Sequence, residues 1–541
     1  MLTNARSAGW PSNWSRNPMM PVNPSRRHEA VPLLAALAAG LAVALAFPRP
    51  QLFFLAWGGL VPLLVQKEQG LFYRSLLAGC FSFALILYWL NIVMTSYGGL
   101  VWPLAVVVWL LLCLYLGLYW AVPVWLSVRL RSRRHLALYW SFPVSWCASE
   151  FLRGTVLTGF PWAQIGTSQY PFETLRQLAD LVGVPGIGFV LTLTNAVLAE
   201  GLLRRREGRS WPVAASVLVL ALVIGSLVYG QTRLNQYRQS AGDEVRVALA
   251  QGNFDQGEKW NPAMLSRTLE TYRALTVQAE KADAGLVIWP ESAAPFYFNE
   301  PGPARNFVVQ IARDTGRYLL LGAPAYERSA DGFRFFNSAF LLSPEGRELG
   351  RSDKVHLVPF GEYVPLKWLL PFVDKMVAGI GDFSPGQGHP LRLNGHALGV
   401  LVCYEAIFPE LARRYVAEGA TMLVNLTNDA WFGRSSAPWQ HLYMAAFRAV
   451  ENRIWLARAA NTGISALVSP TGEIVSRSDL FETTLVTGQA AFGAGDSFYR
   501  TAGFGLPWLC LVLAAFFGLA AFRDKRAVPG KSPCSRDGER V

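Results

Sequence analysis

Charge is what this sequence has least of. Only 16% of its 541 residues are charged, against 52% that are hydrophobic. A soluble domain carries about a quarter charged residues, so an ordinary soluble protein is excluded. Between Arg74 and Arg129 there is no charge at all. Cysteine is equally uninformative as a scaffold. Cys80, Cys113, Cys147 and Cys510 lie in apolar runs and Cys534 in the C-terminal tail, which leaves Cys403 alone in the polar half. A disulfide framework is thereby excluded and a free thiol remains. No CxxC or HExxH pattern occurs, so neither a metal nor another cofactor is expected. The formal charge of +12 does not indicate nucleic acid, because most basic clusters border apolar runs.

What is abundant is apolar and aromatic: 19 Trp and 32 Phe suit long lipid-facing surfaces with interfacial belts. Apolar spans are expected at 31–47, 51–66, 73–94, 100–128, 136–152, 182–203 and 211–230, with a last one at 501–522. Each approaches the ~20 residues that cross a hydrocarbon core. The turn at 95–99 divides the long uncharged stretch in two. Orientation follows from loop charge. The 1–29 tail and the loops at 67–74, 129–135 and 204–209 are rich in Arg and Lys, whereas 48–50, 95–99 and 153–181 carry few cations. Seven spans over 30–230 and an eighth at 501–522 leave both tails, 1–29 and 523–541, in the cytoplasm. A transporter with an accessory domain is an alternative, but transport asks for ionisable residues within spans. The 75–128 region has none, and Glu150 and Glu200 lie near span ends.

The block at 243–495 has a different character. Strand-like runs such as EVRVALAQGNF, GLVIWPES, YLLLGAPAY, HALGVLVCYE and ATMLVNLTND alternate with helix-length segments, which predicts an α/β domain with covered sheets. Its connectors, 231–243 and 496–500, are short. A flexible linker of n residues reaches only ~5–6 Å × √n, so the block is held close to the outer face of the membrane.

Three strand ends in this block present reactive groups. GLVIWP delivers Glu291, and a carboxylate beside Trp289 is partly desolvated, which suits a base. Lys354 heads the stretch DKVHLVPFGEYVP. Cys403 follows the run Ala397 to Val402 at a strand-to-helix turn, where a nucleophile is held rigidly. Taken singly, each has a plainer reading: an exposed loop glutamate, a solvated lysine, a buried inert thiol. Taken together they complement one another. A thiol needs a base or a cation to react at neutral pH; Glu291 can take its proton and Lys354 can hold an oxyanion. His356 and His441 offer a weaker cysteine–histidine alternative.

WPES, DKVHLVPFGEYVP and CYE, in that order, resemble the Glu, Lys and Cys motifs of the nitrilase (carbon–nitrogen hydrolase) superfamily, and the resemblance covers all of 243–495. With eight spans around it, the whole chain resembles the membrane-bound branch of that superfamily in the Gram-negative inner membrane. The resemblance implies a periplasmic α-β-β-α sandwich on a polytopic helical membrane domain. It implies a phospholipid acyl donor, typically phosphatidylethanolamine, and as acceptor the α-amine of a diacylglyceryl-cysteine apolipoprotein. It also implies supporting residues. Glu362 matches a glutamate that positions the lysine, though it also suits a helix cap. Tyr404 and Glu405 match residues that shape the nucleophile's pocket, although Glu405 equally suits a helix N-terminus. Asn337 matches an asparagine near the site, while Trp260 and Trp431 match aromatics lining a lipid entrance. The Gly-rich run Val377 to His389 reads as a lid or as plain surface loop. A membrane-tethered amidase, with water as acceptor, is the other enzyme these motifs allow.

Overall fold

A computed structural model describes residues 24–237, 242–330, 332–363 and 383–522. The tail up to residue 23, the tail from 523 and residues 377–382 of the expected lid lie outside the described residues.

The first half is helical. α1 (Pro24–Leu45) leads through a 3-10 turn, Phe53–Trp57, to α2 (Val61–Leu64), α3 (Leu71–Ile86) and α4 (Leu90–Ile92). After a π turn at Val93–Tyr97 come α5 (Trp102–Arg134), α6 (Leu138–Arg153), α7 (Glu173–Arg176), α8 (Ala179–Arg206) and α9 (Val213–Tyr237). Sequence chemistry sets the ends of α5. A proline sits in its first turn, where no N–H partner is needed, and Arg131, Arg133 and Arg134 fill its last turn against the helix dipole. α3 and α5 pack closely because Gly79 and Gly117 face one another: a Cβ on Gly117 would lie 2.8 Å from the Leu76 carbonyl oxygen.

The second half is a two-layered sandwich. Its strands are β1 (Asp243–Gln251), β2 (Leu286–Ile288), β3 (Tyr318–Ser329), β4 (Gly332–Leu342), β5 (Glu348–Asp353), β6 (Leu391–Leu393), β7 (His396–Val402), β8 (Met422–Thr427), β9 (Leu456–Ala460), β10 (Ala466–Val468), β11 (Ile474–Arg477) and β12 (Thr484–Phe492). They form sheets in the orders β12-β1-β2-β3-β4-β5 and β11-β10-β9-β8-β7-β6. β1, β2 and β3 run parallel, as do β7, β8 and β9. Parallel strands are covered on both faces, and alternation assigns the faces. Leu286 and Ile288 point into the core between the sheets with Val400, Val402 and Leu426, while Val287 packs outward with Tyr272 and Val308. Outside the first sheet lie α10 (Leu265–Lys281) and α11 (Pro303–Thr315); outside the second lie α12 (Pro409–Ala417) and α13 (Ala437–Asn452). The α-β-β-α order is the one expected. α14 (Phe498–Ala502) then leads to α15 (Gly505–Phe522), which packs on α6 and α5.

Four described helices are long and apolar enough to cross a bilayer: Trp102–Arg134, Ala179–Arg206, Val213–Tyr237 and Gly505–Phe522. A bent pair, Leu71–Ile86 with Leu90–Tyr97, turns by 63°. The run at 51–66, expected as a span, is not one continuous helix. It breaks into the 3-10 turn and α2 at Gly58 and Gly59, where a Cβ on Gly59 would press on the Leu55 carbonyl at 2.7 Å.

The halves are joined by buried polar contacts as well as by chain. Arg453, at the end of α13, pairs with Asp180 of α8 at 2.7 Å, both fully buried. Tyr170 and Arg176 donate to the carbonyls of Gly472 and Thr471. Gln440 of α13 accepts the indole N–H groups of Trp89 and Trp162 and donates to the carbonyls of Pro48 and Ile86. The apolar cluster beneath α12 and α13 is continuous with that of α1, α3, α5 and α8.

Candidate active site

Glu291, Lys354 and Cys403 each follow the end of a strand, and each is placed by its local sequence. β2 stops at Trp289-Pro290, where the indole stacks on Tyr272 at 4.8 Å and donates to Thr276 at 3.0 Å. Glu291 follows, then Ser292 in the left-handed region at φ +49°. That turn presses on β3 at Gly322, where a Cβ would lie 2.6 Å from the Pro290 oxygen, so glycine alone fits. Lys354 follows β5, and its N–H donates to the Asn337 carbonyl on β4 at 2.8 Å. Cys403 follows β7 with φ +55°, a conformation that non-glycine residues adopt only when their surroundings impose it.

The side chains of Glu291, Asn337, Lys354 and Glu362 form one buried network. Lys354 Nζ lies 2.9 Å from Glu362 and 3.8 Å from Glu291 Oε1. Asn337 Nδ2 donates to both carboxylates, at 2.7 Å to Glu291 and 2.9 Å to Glu362. Burial disfavours the Lys354 ammonium, but Glu362 first and Glu291 next overturn this and hold it above its ordinary value. Glu362 is therefore the lysine's main counter-ion. Glu291 Oε2 and Asn337 Oδ1 are buried and have no hydrogen-bond partner among the described residues. A buried acceptor without a partner is unusual, and these two remain open to a proton or a substrate N–H.

Cys403 is 9% exposed. Burial, then the Glu291 charge, push it up to about 12 against the opposing pull of Lys354. The sulfur thus rests protonated and needs a base. Glu405 braces the turn: fully buried, it accepts from the N–H groups of Val355 and His356 and from that of Val402, at 2.7 to 2.9 Å. One carboxylate so ties the lysine's loop to the cysteine's turn. Burial lifts it to about 7 in spite of those bonds.

His441 supports the same turn from behind, its Nε2 lying 3.1 Å from the Cys403 carbonyl oxygen. Burial, then Arg458, hold the ring below its ordinary value. Its Nδ1 lies 3.1 Å from Asp429 Oδ1 and 3.2 Å from an Arg458 nitrogen. Asp429 completes this group: burial works against its charge, but Arg458 and then His441 hold it at about 2. His356 stacks on Phe408 at 3.9 Å and is held at about 4 by burial and Lys354. Among the described residues neither ring hydrogen-bonds the sulfur, so the cysteine–histidine alternative gains no support.

The remaining expected residues lie around this centre. Tyr404 is half-buried, 3.5 Å from the Gly159 carbonyl of the helical half. Trp431, on the 3-10 turn Asp429–Phe432, stacks edge-on with Tyr97, whose hydroxyl donates to Ala430. Trp260 lies on the β1–α10 loop, its indole N–H without a partner among the described residues. Residue-by-residue reading missed Lys259, 3% exposed and bonded through Nζ to the main-chain oxygen of Glu291 at 2.9 Å. Its adjacency to Trp260 was the available signal. The Asp429–His441–Arg458 group, assembled from three separate elements, left none. Among the described residues no group of three or more His, Cys, Asp or Glu is placed to hold a metal ion.

Comparison with known proteins finds two family models. Residues 246–496 match carbon–nitrogen hydrolase, and residues 39–197 match the apolipoprotein N-acyltransferase N-terminal domain. The apolipoprotein N-acyltransferase of Geobacter metallireducens is 45% identical over 500 residues, covering 91% of this chain and 95% of the relative. That of Methylococcus capsulatus is 36% identical, covering 83% and 87%. An amidase crystal structure from Nesterenkonia sp. aligns at 25% identity and a TM-score of 0.37, covering 49% of this chain and 96% of the amidase.

Proposed function

This chain belongs to the apolipoprotein N-acyltransferase family, and from that premise we propose that it moves a fatty acyl chain from a phospholipid to the N-terminal amine of a diacylglyceryl-cysteine apolipoprotein. The observation that carries the reading is the buried Glu291–Lys354 pair, with the lysine's loop tied to the Cys403 turn through Glu405, beside loops seated on the helical half.

In the first half-reaction Glu291 takes the Cys403 proton and the sulfur attacks the carbonyl carbon of an acyl ester. The C–S bond forms as the carbonyl π pair moves onto oxygen, where Lys354 and the backbone N–H of Tyr404 stabilise the oxyanion. The intermediate collapses, the lysophospholipid alkoxide leaves with the proton from Glu291, and a thioester remains. The apolipoprotein amine then attacks that thioester and Glu291 removes its proton. The sulfur leaves, recovers the proton, and an amide is released. Ester to thioester is nearly balanced and thioester to amide is downhill, so the second half draws the first forward. Two separate half-reactions imply ping-pong kinetics. Trp260 and Trp431 keep the mouth apolar, which protects the thioester from water. Asn337 and Glu362 orient Glu291 and Lys354.

The donor in this reading is phosphatidylethanolamine. The protein sits in the bacterial inner membrane with eight spans, both termini cytoplasmic and residues 243–495 periplasmic. Loop charge supports that orientation, and the four long apolar helices with the bent pair are compatible with it. The test is to incubate purified protein with acyl-labelled phosphatidylethanolamine, with and without a diacylated lipopeptide. Label should appear on Cys403 alone and pass to the lipopeptide. Release as free fatty acid would indicate an amidase-like hydrolase, and a Cys403→Ala protein that still transfers label would sink the reading.

A further inference from the structure

The N–H of Tyr404, one of the two oxyanion donors above, shares a peptide group with the carbonyl of Cys403. That peptide is planar and trans, so its C=O and N–H point in opposite directions and whatever fixes one aims the other. Among the described residues no hydrogen bond takes the N–H, whereas two buried side chains hold the carbonyl. His441 Nε2 lies 3.1 Å from the oxygen and Asn425 Nδ2 lies 3.3 Å from it. A carbonyl oxygen only accepts, so the imidazole can hold it only as a donor. Both side chains are themselves held. Arg458 donates to Asn425 Oδ1 and, at 2.6 Å, to Asp429 Oδ2. The other Asp429 oxygen lies 3.1 Å from His441 Nδ1 and accepts from Thr427 at 3.0 Å. β8, the turn after it, β9 and α13 thus converge on one main-chain oxygen through four buried polar side chains. One partner would satisfy a buried carbonyl, and this is more than burial demands.

We propose that His441, steadied by Asp429 and Arg458 and joined by Asn425, is a positioning residue that aims and polarises the Tyr404 N–H toward the acyl oxygen. The inference rests on the acyl-transfer reading above. No bond forms or breaks at the imidazole; it acts through one peptide group. Cys403 stands in the left-handed region at φ +55°, which persists only where neighbours impose it. Without a grip on the carbonyl the backbone can relax, the peptide plane turns, and the N–H swings off the acyl oxygen. Donors on the carbonyl also draw electron density toward oxygen and leave the N–H more positive, strengthening it by about 10–30% per bond. Lys354 serves the oxyanion from one side, and His441 secures the partner that serves it from the other.

The test compares two rates at Cys403 in the full-length protein, both read on its own peptide by mass spectrometry. Acylation by labelled phosphatidylethanolamine builds charge on the acyl oxygen. Alkylation by iodoacetamide displaces iodide from a saturated carbon and builds none there. His441→Asn keeps an amide toward Asp429 and Arg458 but stops short of the Cys403 carbonyl. Its acylation should fall about tenfold, less than the roughly 10²–10³ lost with an oxyanion donor removed outright, while alkylation stays at the wild-type rate. His441→Gln, whose amide reaches about as far as Nε2, should recover most of the loss. A residue that merely shapes the turn would slow both rates together. Equal losses overturn the proposal, and so does wild-type acylation in the asparagine variant. A second measurement needs no variant: the infrared stretch of a ¹³C-labelled acyl carbonyl on Cys403 should lie lower in the folded wild-type protein than in the same acyl-protein unfolded. An unshifted band overturns the proposal, because no donor would then reach the acyl oxygen. Wild-type protein that takes no acyl group from phospholipid would instead remove the nucleophile assignment, a result separate from any of these comparisons.

Discussion

Replacing Glu405 by glutamine separates what holds the fold from what aligns the site. The carboxylate takes N–H groups from Val355 and His356 on one oxygen and from Val402 on the other. Glutamine can keep the first pair through its carbonyl, but its NH₂ then meets the Val402 N–H, donor against donor. Leaving one buried N–H unmet costs about 1–3 kcal/mol. Against this stands a saving. Burial holds Glu405 at about 7 and not the usual 4.5, so keeping it ionised at neutral pH costs the fold about 3 kcal/mol, at 1.36 kcal/mol per pH unit. The two effects nearly cancel above pH 7, and Glu405→Gln should unfold within a few degrees of wild type at pH 8. The sign of the pH dependence follows from linkage. An acid whose folded value is raised gives stability that is present below about 4.5 and lost as pH rises through about 7. The variant, lacking that group, should therefore be the less stable protein at pH 5. Function should not share the compensation, because the bond that registers the Lys354 loop against the Cys403 turn is gone. Acylation of Cys403 should fall about ten- to a hundredfold, the equivalent of 1.4–2.7 kcal/mol of lost transition-state alignment. Thermal unfolding in detergent at both pH values, with quenched mass spectrometry of acyl-enzyme formation, measures the two sides. Wild-type acylation in Glu405→Gln would refute the bracing role, and equal destabilisation at pH 5 and pH 8 would refute the burial argument.

Other outcomes follow from the same geometry. With its thiol held near 12, Cys403 should be alkylated by iodoacetamide about tenfold faster for each unit of pH from 7 to 10, with no plateau; a plateau near neutrality would reveal a resting thiolate. Asp180→Ala leaves Arg453 buried without its partner and should cost about 3–5 kcal/mol, read as a lowered unfolding temperature in detergent. Gly322→Ala drives a Cβ into the Glu291 turn and should slow acylation far more than it lowers stability; activity at the wild-type level would show that the turn can yield.

The sandwich was legible because its central strands are buried on both faces and spell that out as unbroken apolar runs, as in VALA of β1 and LLLGA of β3. The strand-end positions of Glu291, Lys354 and Cys403 were legible because each stands where such a run stops. β9 was not, since LARAA carries Arg458 in a fully buried strand, and its neutraliser, Asp429, lies 29 residues earlier. Lys259 escaped for a related reason: its partner is a main-chain oxygen 32 residues away, which no pattern of side chains registers. The break in the 51–66 run was not legible, because hydropathy does not register what the Gly58–Gly59 step does to a helix.

Gln440 is followed in the chain by His441, and that adjacency has a practical meaning. The amide is plugged among Trp89, Trp162, Pro48 and Ile86, and the imidazole beside it grips the backbone of the reactive sulfur's residue. Excising the sandwich as a free-standing hydrolase would pull out the plug and slacken the grip. The greasy half of this polypeptide is thus a working part of the reactor as well as its mooring, and substitutions at Trp89 or Trp162 belong in any screen for crippled chemistry.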